Sequence, residues 1–177
     1  MKTDALTVLT PVVEGQIGSL RATIEALPSD SGSPFARVFG THVARLTVVE
    51  ALDGRDLRPD PGMGSFLLFA TEFDGDAAVH MERLRSGLGE DAGRVWGHCA
   101  GYPGIRRARA FGDWLLRHRI PTGFSVAPYR NNAVDEVRAA LALRRQLLDF
   151  VLQGAELDPQ ALKAAWLGEF GDGRRVV

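Results

Sequence analysis

The sequence predicts an α+β domain built on a four-stranded antiparallel sheet. Four short segments rich in β-branched and apolar residues are typical of buried strands. Segments of helical periodicity lie between and after them, separated by polar connections rich in glycine and proline. The chain has 177 residues, of which 45% are hydrophobic and 24% charged, and this is sufficient for one well-filled core.

The first half of the chain predicts a strand, a helix and a hairpin. Residues 5–13 form the first strand, and residues 15–28 form a helix whose apolar side chains recur at helical spacing. Residues 41–52 and 65–73 form the second and third strands. The density of Gly, Pro and Asp in 53–64 indicates an exposed connection between them.

The second half predicts more helix than strand. A helix follows the third strand, with Asp74 or Asp76 as its N-cap. The region 89–120 has the pattern of a broken helix. Residues 122–129 form the fourth strand, and Pro128 places that strand at a sheet edge or marks its end.

Two further helices are predicted at the C-terminal end. The first covers 132–153, with Asn131 or Asn132 as its cap. The last begins after an N-cap at Asp158, with Pro159 at its first helical position.

The element order is therefore β-α-β-β-α-β, the order of a ferredoxin-like split β-α-β sheet. We predict one such domain over 1–154, with a C-terminal helix and frayed tail, 155–177, packed on it. The third strand is apolar on both faces, with Phe66, Leu68 and Ala70 on one and Leu67, Phe69 and Phe73 on the other. Helices of this topology cover one face only, so a partner subunit, a ligand or the C-terminal helices must cover the second. The pattern favours a homodimer in which two sheets pack face to face as a dimeric α+β barrel.

The composition excludes several classes of function. A net charge of −1 gives no general attraction for nucleic acid or for an anionic membrane. One cysteine excludes an internal disulfide and any multi-cysteine metal site. The chain shows no signal-peptide core and no apolar run of transmembrane length, so a cytoplasmic protein is expected.

His42 and Arg45 in the second strand are the first candidate pair. Because they are three residues apart in a strand, they are expected on opposite faces. His42 would share an apolar face with Ala44 and Leu46, either as a structural histidine or as a general base. Arg45 is either a solvated arginine or a planar clamp for a carboxylate.

The segment VWGHCAGYPG, residues 95–104, holds the second candidate group. A helix that ends near Gly101 with His98 in its last turn explains the pattern without chemistry, because imidazole interacts favourably with the helix dipole there. The alternative is a catalytic His98 with Tyr102 positioning the substrate. A helix C-terminus raises the pKa of a thiol, which disfavours Cys99 as a nucleophile.

The end of the fourth strand is the third candidate. Tyr129 and Arg130 precede the long helix, whose free N–H groups are suited to an anion, and simple capping is the alternative. Of the remaining histidines, His80 is expected to face solvent and His118 to cap a helix C-terminus. The four histidines show no metal-binding spacing, so no metal site is predicted.

Four stretches carry a resemblance to a known group: THVARLTVV, LLFATEFDGD, WGHCAGYPG and VDEVRAALALRRQL, within residues 41–147. They resemble ferredoxin-like domains found in bacterial proteins alongside haem-peroxidase or lipoxygenase-type modules. The wider dimeric α+β barrel group, to which this fold is similar, includes cofactor-free monooxygenases, chlorite dismutases and dye-decolourising peroxidases. The sequence departs from the haem-binding members because no histidine aligns as a proximal ligand. The resemblance constrains the fold more than the function.

These observations favour a small oxidoreductase or monooxygenase-like protein that binds an apolar organic substrate in a cavity between sheet and helices. Its catalytic residues would be His42 and His98. The residues expected to bind the substrate are Arg45, Tyr102, Tyr129 and Arg130.

A second interpretation is a non-catalytic ligand-binding or accessory domain that docks on a peroxidase- or lipoxygenase-type partner. A third is a haem protein with His98 or His42 as its single ligand, although no cofactor is predicted by a motif. Convergence of His42 and the 95–104 turn on one pocket would favour the enzyme.

Overall fold

A computed structural model describes residues 3–50, 64–106, 109–124 and 132–171. The chain divides into two compact units, Met1–Asn131 and Asn132–Val177. The first unit contains β1 (Thr3–Pro11), α1 (Ile17–Glu25), β2 (Thr41–Val49), β3 (Phe66–Asp74), α2 (Ala77–Leu88), α3 (Glu90–Trp96), α4 (Ala110–Arg117) and β4 (Arg119–Ile120). The second contains α5 (Val134–Gly154) and α6 (Pro159–Phe170). The predicted domain boundary after residue 154 stays a prediction.

The four strands form one antiparallel sheet in the order β2-β3-β1-β4. Because β3 is antiparallel to both neighbours, β1 and β2 run parallel with β3 between them. The chain crosses from β1 to β2 through α1 and from β3 to β4 through α2, α3 and α4. The mixed α+β class that the sequence predicts is confirmed, and this sheet is compatible with a ferredoxin-like fold.

One face of the sheet carries the hydrophobic core. Its strands contribute Leu6, Val8, Leu67, Phe69 and Phe73, and its helices contribute Leu20, Leu84, Val95, Trp96, Phe111 and Leu115. The Trp96 ring meets Phe69 and Phe111 edge-on, with centroids 5.3 Å away in each case. These side chains fill the layer in which sequence analysis expects the substrate cavity.

We call the opposite surface of the sheet the open face. The rows of paired residues across β1, β3 and β2 are Ala5–Glu72–Val43, Thr7–Ala70–Arg45, Leu9–Leu68–Thr47 and Pro11–Phe66–Val49. Their side chains are half-buried or exposed, whereas their neighbours along β3 are buried. The predicted two-sided pattern of the third strand is therefore confirmed.

The fourth strand begins earlier than predicted. β4 contains only two residues, and 122–124, which were expected in the strand, lie outside it. Residues 125–129 of the predicted strand lie outside the described residues. Pro121 explains why β4 ends at Ile120. It restricts Ile120 to extended backbone and has no N–H to continue the hydrogen-bond ladder.

The two aspartate caps confirm helix starts that the sequence predicts. The Asp76 carboxylate accepts from the Ala78 N–H at 2.7 Å at the start of α2. The Asp158 carboxylate accepts from two backbone N–H groups at the start of α6, with Pro159 next in the chain. These hydrogen bonds satisfy N–H groups that have no partner within the helix.

The start of α5 differs from the prediction. Its N-cap is Ala133, whose N–H donates to the Glu136 carboxylate at 2.8 Å. A cap at Asn132 is therefore wrong, and Asn131 lies outside the described residues. The carboxylate three residues into the helix supplies the acceptor that the asparagine was expected to provide.

Candidate functional site

A β-bulge in β2 determines where His42 lies. The register against β3 shifts between Thr41 and Val43, so His42 is the inserted residue. Asp74 is the last residue of β3, and its side chain is buried. His42 Nε2 lies 2.9 Å from Asp74 Oδ1.

Arg45 lies on the open face, directly opposite Ala70 of β3. The expectation that His42 projects from the other face counts three residues of regular strand. The bulge interrupts that alternation, so the opposite-face expectation stays a prediction. Ala44 and Leu46, the expected neighbours of His42, pack against the core.

Contacts with His42, Gly40 and Arg83 hold Asp74 in place. Its side chain is only 2% exposed and lies against His42, which is 20% exposed. Its backbone N–H donates to the Gly40 carbonyl at 2.8 Å, and its carbonyl accepts from Arg83 Nη1 at 3.0 Å. The guanidinium of Arg83 also stacks over Phe39. The imidazole of His42 therefore meets a carboxylate whose position is fixed.

A cavity of about 190 Å³ lies on the open face, and Arg45 lines it. Its other described lining includes Ala5, Thr7, Val43, Ala70, Glu72 and Phe124. Phe124 is 84% exposed, which is unusual for a large aromatic side chain. With Thr71 and Thr122 also in its lining, the cavity combines apolar and hydroxyl side chains with one guanidinium and one carboxylate.

Arg45 makes no ion pair or hydrogen bond within the part of the chain that the structure describes. Glu72 lies diagonally across the strand pair, since it is opposite Val43 while Arg45 is opposite Ala70. Such diagonal neighbours are about 7–8 Å apart. The guanidinium therefore has donors available for a ligand.

A larger cavity, about 670 Å³, lies between α2 and α4. None of the sequence-predicted site residues lines it. Its charged lining is balanced, with Glu82 and Asp113 against Arg85 and Arg109, and Arg85 Nε donates to Glu82 at 2.9 Å. Arg85 is already paired with Glu82, whereas Arg45 in the smaller cavity has no partner among the described residues, so we take the smaller cavity on the open face as the candidate site.

His98 lies far from His42. The Val13 N–H donates to the His98 carbonyl, just beyond the end of β1 that is remote from Asp74. At about 3.3 Å per strand residue, the two histidines are separated by roughly 30 Å along the sheet. The 95–104 turn and His42 therefore do not converge on one pocket.

Both ring nitrogens of His98 are engaged. Nδ1 lies 3.0 Å from Gln16 Oε1, and Nε2 lies 3.4 Å from Thr23 Oγ1. The preceding helix ends at Trp96, earlier than the predicted end near Gly101, so His98 follows the helix rather than lying in its last turn. Its contacts join the turn to α1 and the residue before it.

Cys99 and Tyr102 belong to the core side of the sheet. Burial raises the pKa of the Cys99 thiol, and the Thr10 hydroxyl lies 3.3 Å from its sulfur. Burial also raises the pKa of Tyr102, whose ring packs edge-on against Phe111 and Trp114. The structure thus places Tyr102 away from the open face, among the helices.

Among the histidines, His80 differs most from its predicted position. It is fully buried instead of facing solvent, with its ring stacked on Phe73 at 4.0 Å between centroids. Its Nε2 lies 3.3 Å from Thr71 Oγ1, and its Nδ1 has no hydrogen-bond partner among the described residues. Burial, with a smaller contribution from Arg83, lowers the pKa of His80 to about 4.

Two further predictions concern the remaining candidate residues. His118 is the C-cap of α4, and its Nδ1 lies 2.8 Å from the Trp114 carbonyl oxygen, so the predicted helix-capping role is confirmed. Tyr129 and Arg130 lie outside the described residues, and their predicted roles stay predictions.

The two candidate haem ligands differ in how their ring nitrogens are engaged. A haem ligand needs one free ring nitrogen facing an apolar slot. Polar side chains engage both nitrogens of His98, whereas the described contact of His42 engages Nε2 alone. The haem interpretation stays a prediction. Among the described residues, no three His, Cys, Asp or Glu side chains are grouped as metal ligands would be.

Comparison with protein-family models, with curated proteins and with solved structures finds no match. Within the described ranges, no helix combines the length and the hydropathy needed to cross a membrane.

Sequence reasoning missed three residues of this site. Asp74 was considered only as a helix cap, although an acid at the end of an apolar strand is also a signal for a buried carboxylate. Glu72 is the one acid within the apolar third strand, and that isolation marks it. Phe124 carried no signal, because an aromatic residue in a presumed strand is expected to be buried.

Proposed function

We propose that this protein binds a small apolar monocarboxylate on the open face of its sheet. The observation that carries the proposal is Arg45, a guanidinium without an internal partner among the described residues, in a cavity lined partly by apolar side chains. A planar fork of N–H donors matches the two oxygens of a carboxylate, and hydrogen bonds between ionised groups are stronger than those between neutral groups. Phe124 and Val43 supply apolar surface for the remainder of the ligand.

Glu72 restricts the charge of that ligand. Its carboxylate lines the same cavity, so a second negative charge on the ligand would be repelled. Monoanions are therefore favoured over dianions. The cavity volume of about 190 Å³ suits a ligand with a single ring or a short branched chain.

Isothermal titration calorimetry of the full chain tests this function. Phenylpyruvate, an apolar monoanion, should bind, and the dianion phenylmalonate should bind more weakly. Arg45→Ala should weaken the binding of phenylpyruvate at least tenfold, because charge-assisted hydrogen bonds contribute about 1.5–3 kcal/mol. Arg117→Ala, which removes an exposed arginine of α4, should leave it unchanged. Equal affinities for wild type and Arg45→Ala would contradict the proposal.

The enzymatic interpretation is a second candidate function. A small oxidoreductase or monooxygenase-like activity is favoured by one observation, the His42–Asp74 contact. Consumption of dioxygen in the presence of an electron-rich phenolic acid tests it. The accessory role beside a peroxidase- or lipoxygenase-type partner stays a prediction.

We also infer a ferredoxin-like sheet that pairs with a second copy of the chain. The strand order and the two helical crossovers support the first part. Exposed apolar residues of the open face and its edges, Val43, Val49 and Ile120, support the second. Sedimentation equilibrium tests the dimer, and a mass of one chain at micromolar concentration would contradict it.

A further inference from the structure

Arg45 and Glu72 carry opposite charges and share one cavity without forming a pair. The register of β2 against β3 makes them diagonal neighbours on the open face, and both line the cavity. Within the described part of the chain, no ion pair or hydrogen bond joins them or engages either side chain. On α2, by contrast, Arg85 Nε donates to the neighbouring Glu82 at 2.9 Å. The cavity therefore presents an unpaired guanidinium and an unpaired carboxylate on the same surface.

The separation of these two side chains restricts the ligands that can contact both. Diagonal neighbours across a strand pair are about 7–8 Å apart. A charge-assisted hydrogen bond of about 2.8 Å at each end leaves room for only a short link between a carboxylate and an ammonium group. In an α-amino acid, a single carbon atom separates these two groups. The arrangement therefore suits the charged groups of an amino acid better than those of a longer zwitterion.

We propose that the cavity on the open face recognises both charged groups of a free α-amino acid with an apolar side chain. Arg45 donates to the carboxylate, as in the binding function on which this inference rests, and Glu72 accepts from the ammonium group. Exposed apolar surface of Val43 and Phe124, which line the cavity, receives the side chain of the ligand. The inference adds a second recognition group and a ligand class to the proposed function.

Glu72 then acts in opposite directions on two kinds of ligand. It repels an acid that has no positive charge next to its carboxylate, and it attracts an amino acid, which has one. A merely structural role of Glu72 would instead shift the affinity for both ligands in the same direction. The sign of the change therefore identifies direct recognition.

Isothermal titration calorimetry of the full chain tests this with two ligands that share a skeleton, L-phenylalanine and 3-phenylpropionate, which lacks the amino group. At about pH 6 the amino group carries its proton. The wild type should bind phenylalanine about fivefold or more tightly than 3-phenylpropionate, because the half-buried Glu72 adds a charge-assisted hydrogen bond. Arg45→Ala should weaken the binding of both ligands about tenfold or more.

Glu72→Gln should reverse the preference between the two ligands. It should weaken the binding of phenylalanine about fivefold or more and tighten that of 3-phenylpropionate about twofold to fivefold. A misfolded variant would not gain affinity for either ligand. Glu25→Gln is the matched control, since it removes an exposed acid of α1 in the same way, and it should leave both affinities unchanged.

The outcomes separate this inference from the function on which it rests. Arg45-dependent binding of both ligands without a preference for phenylalanine overturns the inference and leaves the binding function standing. A preference for phenylalanine that survives Glu72→Gln also overturns the inference, as does an equal loss of affinity for both ligands in that variant. Absence of Arg45-dependent binding of either ligand overturns both.

Discussion

The two faces of the sheet are made from alternate residues of the same strands, yet they have opposite roles. In β3, Leu67 and Phe69 are fully buried against the helices, whereas Leu68 and Ala70 lie half-buried on the open face. Both sets are apolar, so hydrophobicity alone does not separate them. The two faces differ in the hydrogen-bond partners of their polar side chains.

Some polar groups on the covered face have partners inside the protein, although the buried Trp96 Nε1 and Tyr102 hydroxyl have none among the described residues. The Thr10 hydroxyl donates to the Leu67 carbonyl at 3.3 Å, and His80 meets the Thr71 hydroxyl. On the open face, Arg45 has no internal partner among the described residues. A buried polar group must be paired to be tolerated, but a polar group on the open face is free to meet a ligand. The comparison thus separates residues that stabilise the fold from residues available for binding.

The largest effect expected to test this comparison comes from truncating neighbouring residues of β3. Phe69→Ala should lower the free energy of unfolding by about 4 kcal/mol, since it empties a fully buried aromatic site. Leu68→Ala should cost about 1 kcal/mol, because its side chain is only half-buried. Urea unfolding measures both. Equal losses would show that the open face is as deeply buried in solution as the covered one.

The buried His80 should make stability fall in acid. Its folded pKa of about 4 lies below the unfolded value of 6.5, so the unfolded chain binds the proton more tightly. The contribution of neutral His80 to the free energy of unfolding is complete above about pH 6.5. It is lost as the pH falls from 6.5 toward 4. The loss approaches roughly 3 kcal/mol, since a tenfold change in proton affinity corresponds to about 1.4 kcal/mol.

Urea midpoints of wild type and His80→Phe across this pH range isolate that contribution. Phenylalanine keeps a flat ring against Phe73 and does not titrate. The difference between the two curves should grow as the pH falls. Parallel curves would mean that His80 is protonated in the folded state or reaches solvent.

The helix starts and the alternation of β3 were predictable from the sequence, and the reason is local. Asp76 and Asp158 cap helices because a short acidic side chain before a helix satisfies free N–H groups whatever the tertiary structure. The alternating residues of β3 were assigned to two faces correctly for the same reason. The burial of His80 was not predicted, because its neighbours Glu82 and Arg83 suggested a solvated helix face. Its own position lies on the buried stripe of α2 with Leu84.

The candidate site was only partly predictable, because it depends on pairing between strands. The bulge at His42 arises from the register of β2 against β3, which no local pattern in THVARLTVV reveals. Asp74, 32 residues away in sequence, meets His42 only through that pairing.

A matched pair of threonines in β1 should show the same contrast at smaller scale. Thr10→Val removes a buried hydroxyl that donates to a carbonyl, so a loss of about 1 kcal/mol is expected. Thr7→Val alters a hydroxyl on the open face and should stay within about 0.5 kcal/mol of wild type. Urea unfolding of the two variants side by side measures the contrast, and a larger loss for Thr7→Val would reverse the assignment of the faces.

The smallest effect on stability should accompany a gain in binding. Glu72→Gln removes a negative charge from the cavity but keeps a side chain of the same size, so the free energy of unfolding should change by less than about 0.5 kcal/mol. Phenylpyruvate should bind roughly twofold to fivefold more tightly, because the variant lacks the negative charge of Glu72 that repels the ligand carboxylate about 7–8 Å away, at Arg45. Phenylmalonate should gain more than phenylpyruvate, since it carries two charges. Both gains should shrink as salt screens the repulsion. Calorimetry at low and high salt measures them, and a weaker affinity for either acid would show that Glu72 helps to hold the ligand instead of limiting its charge.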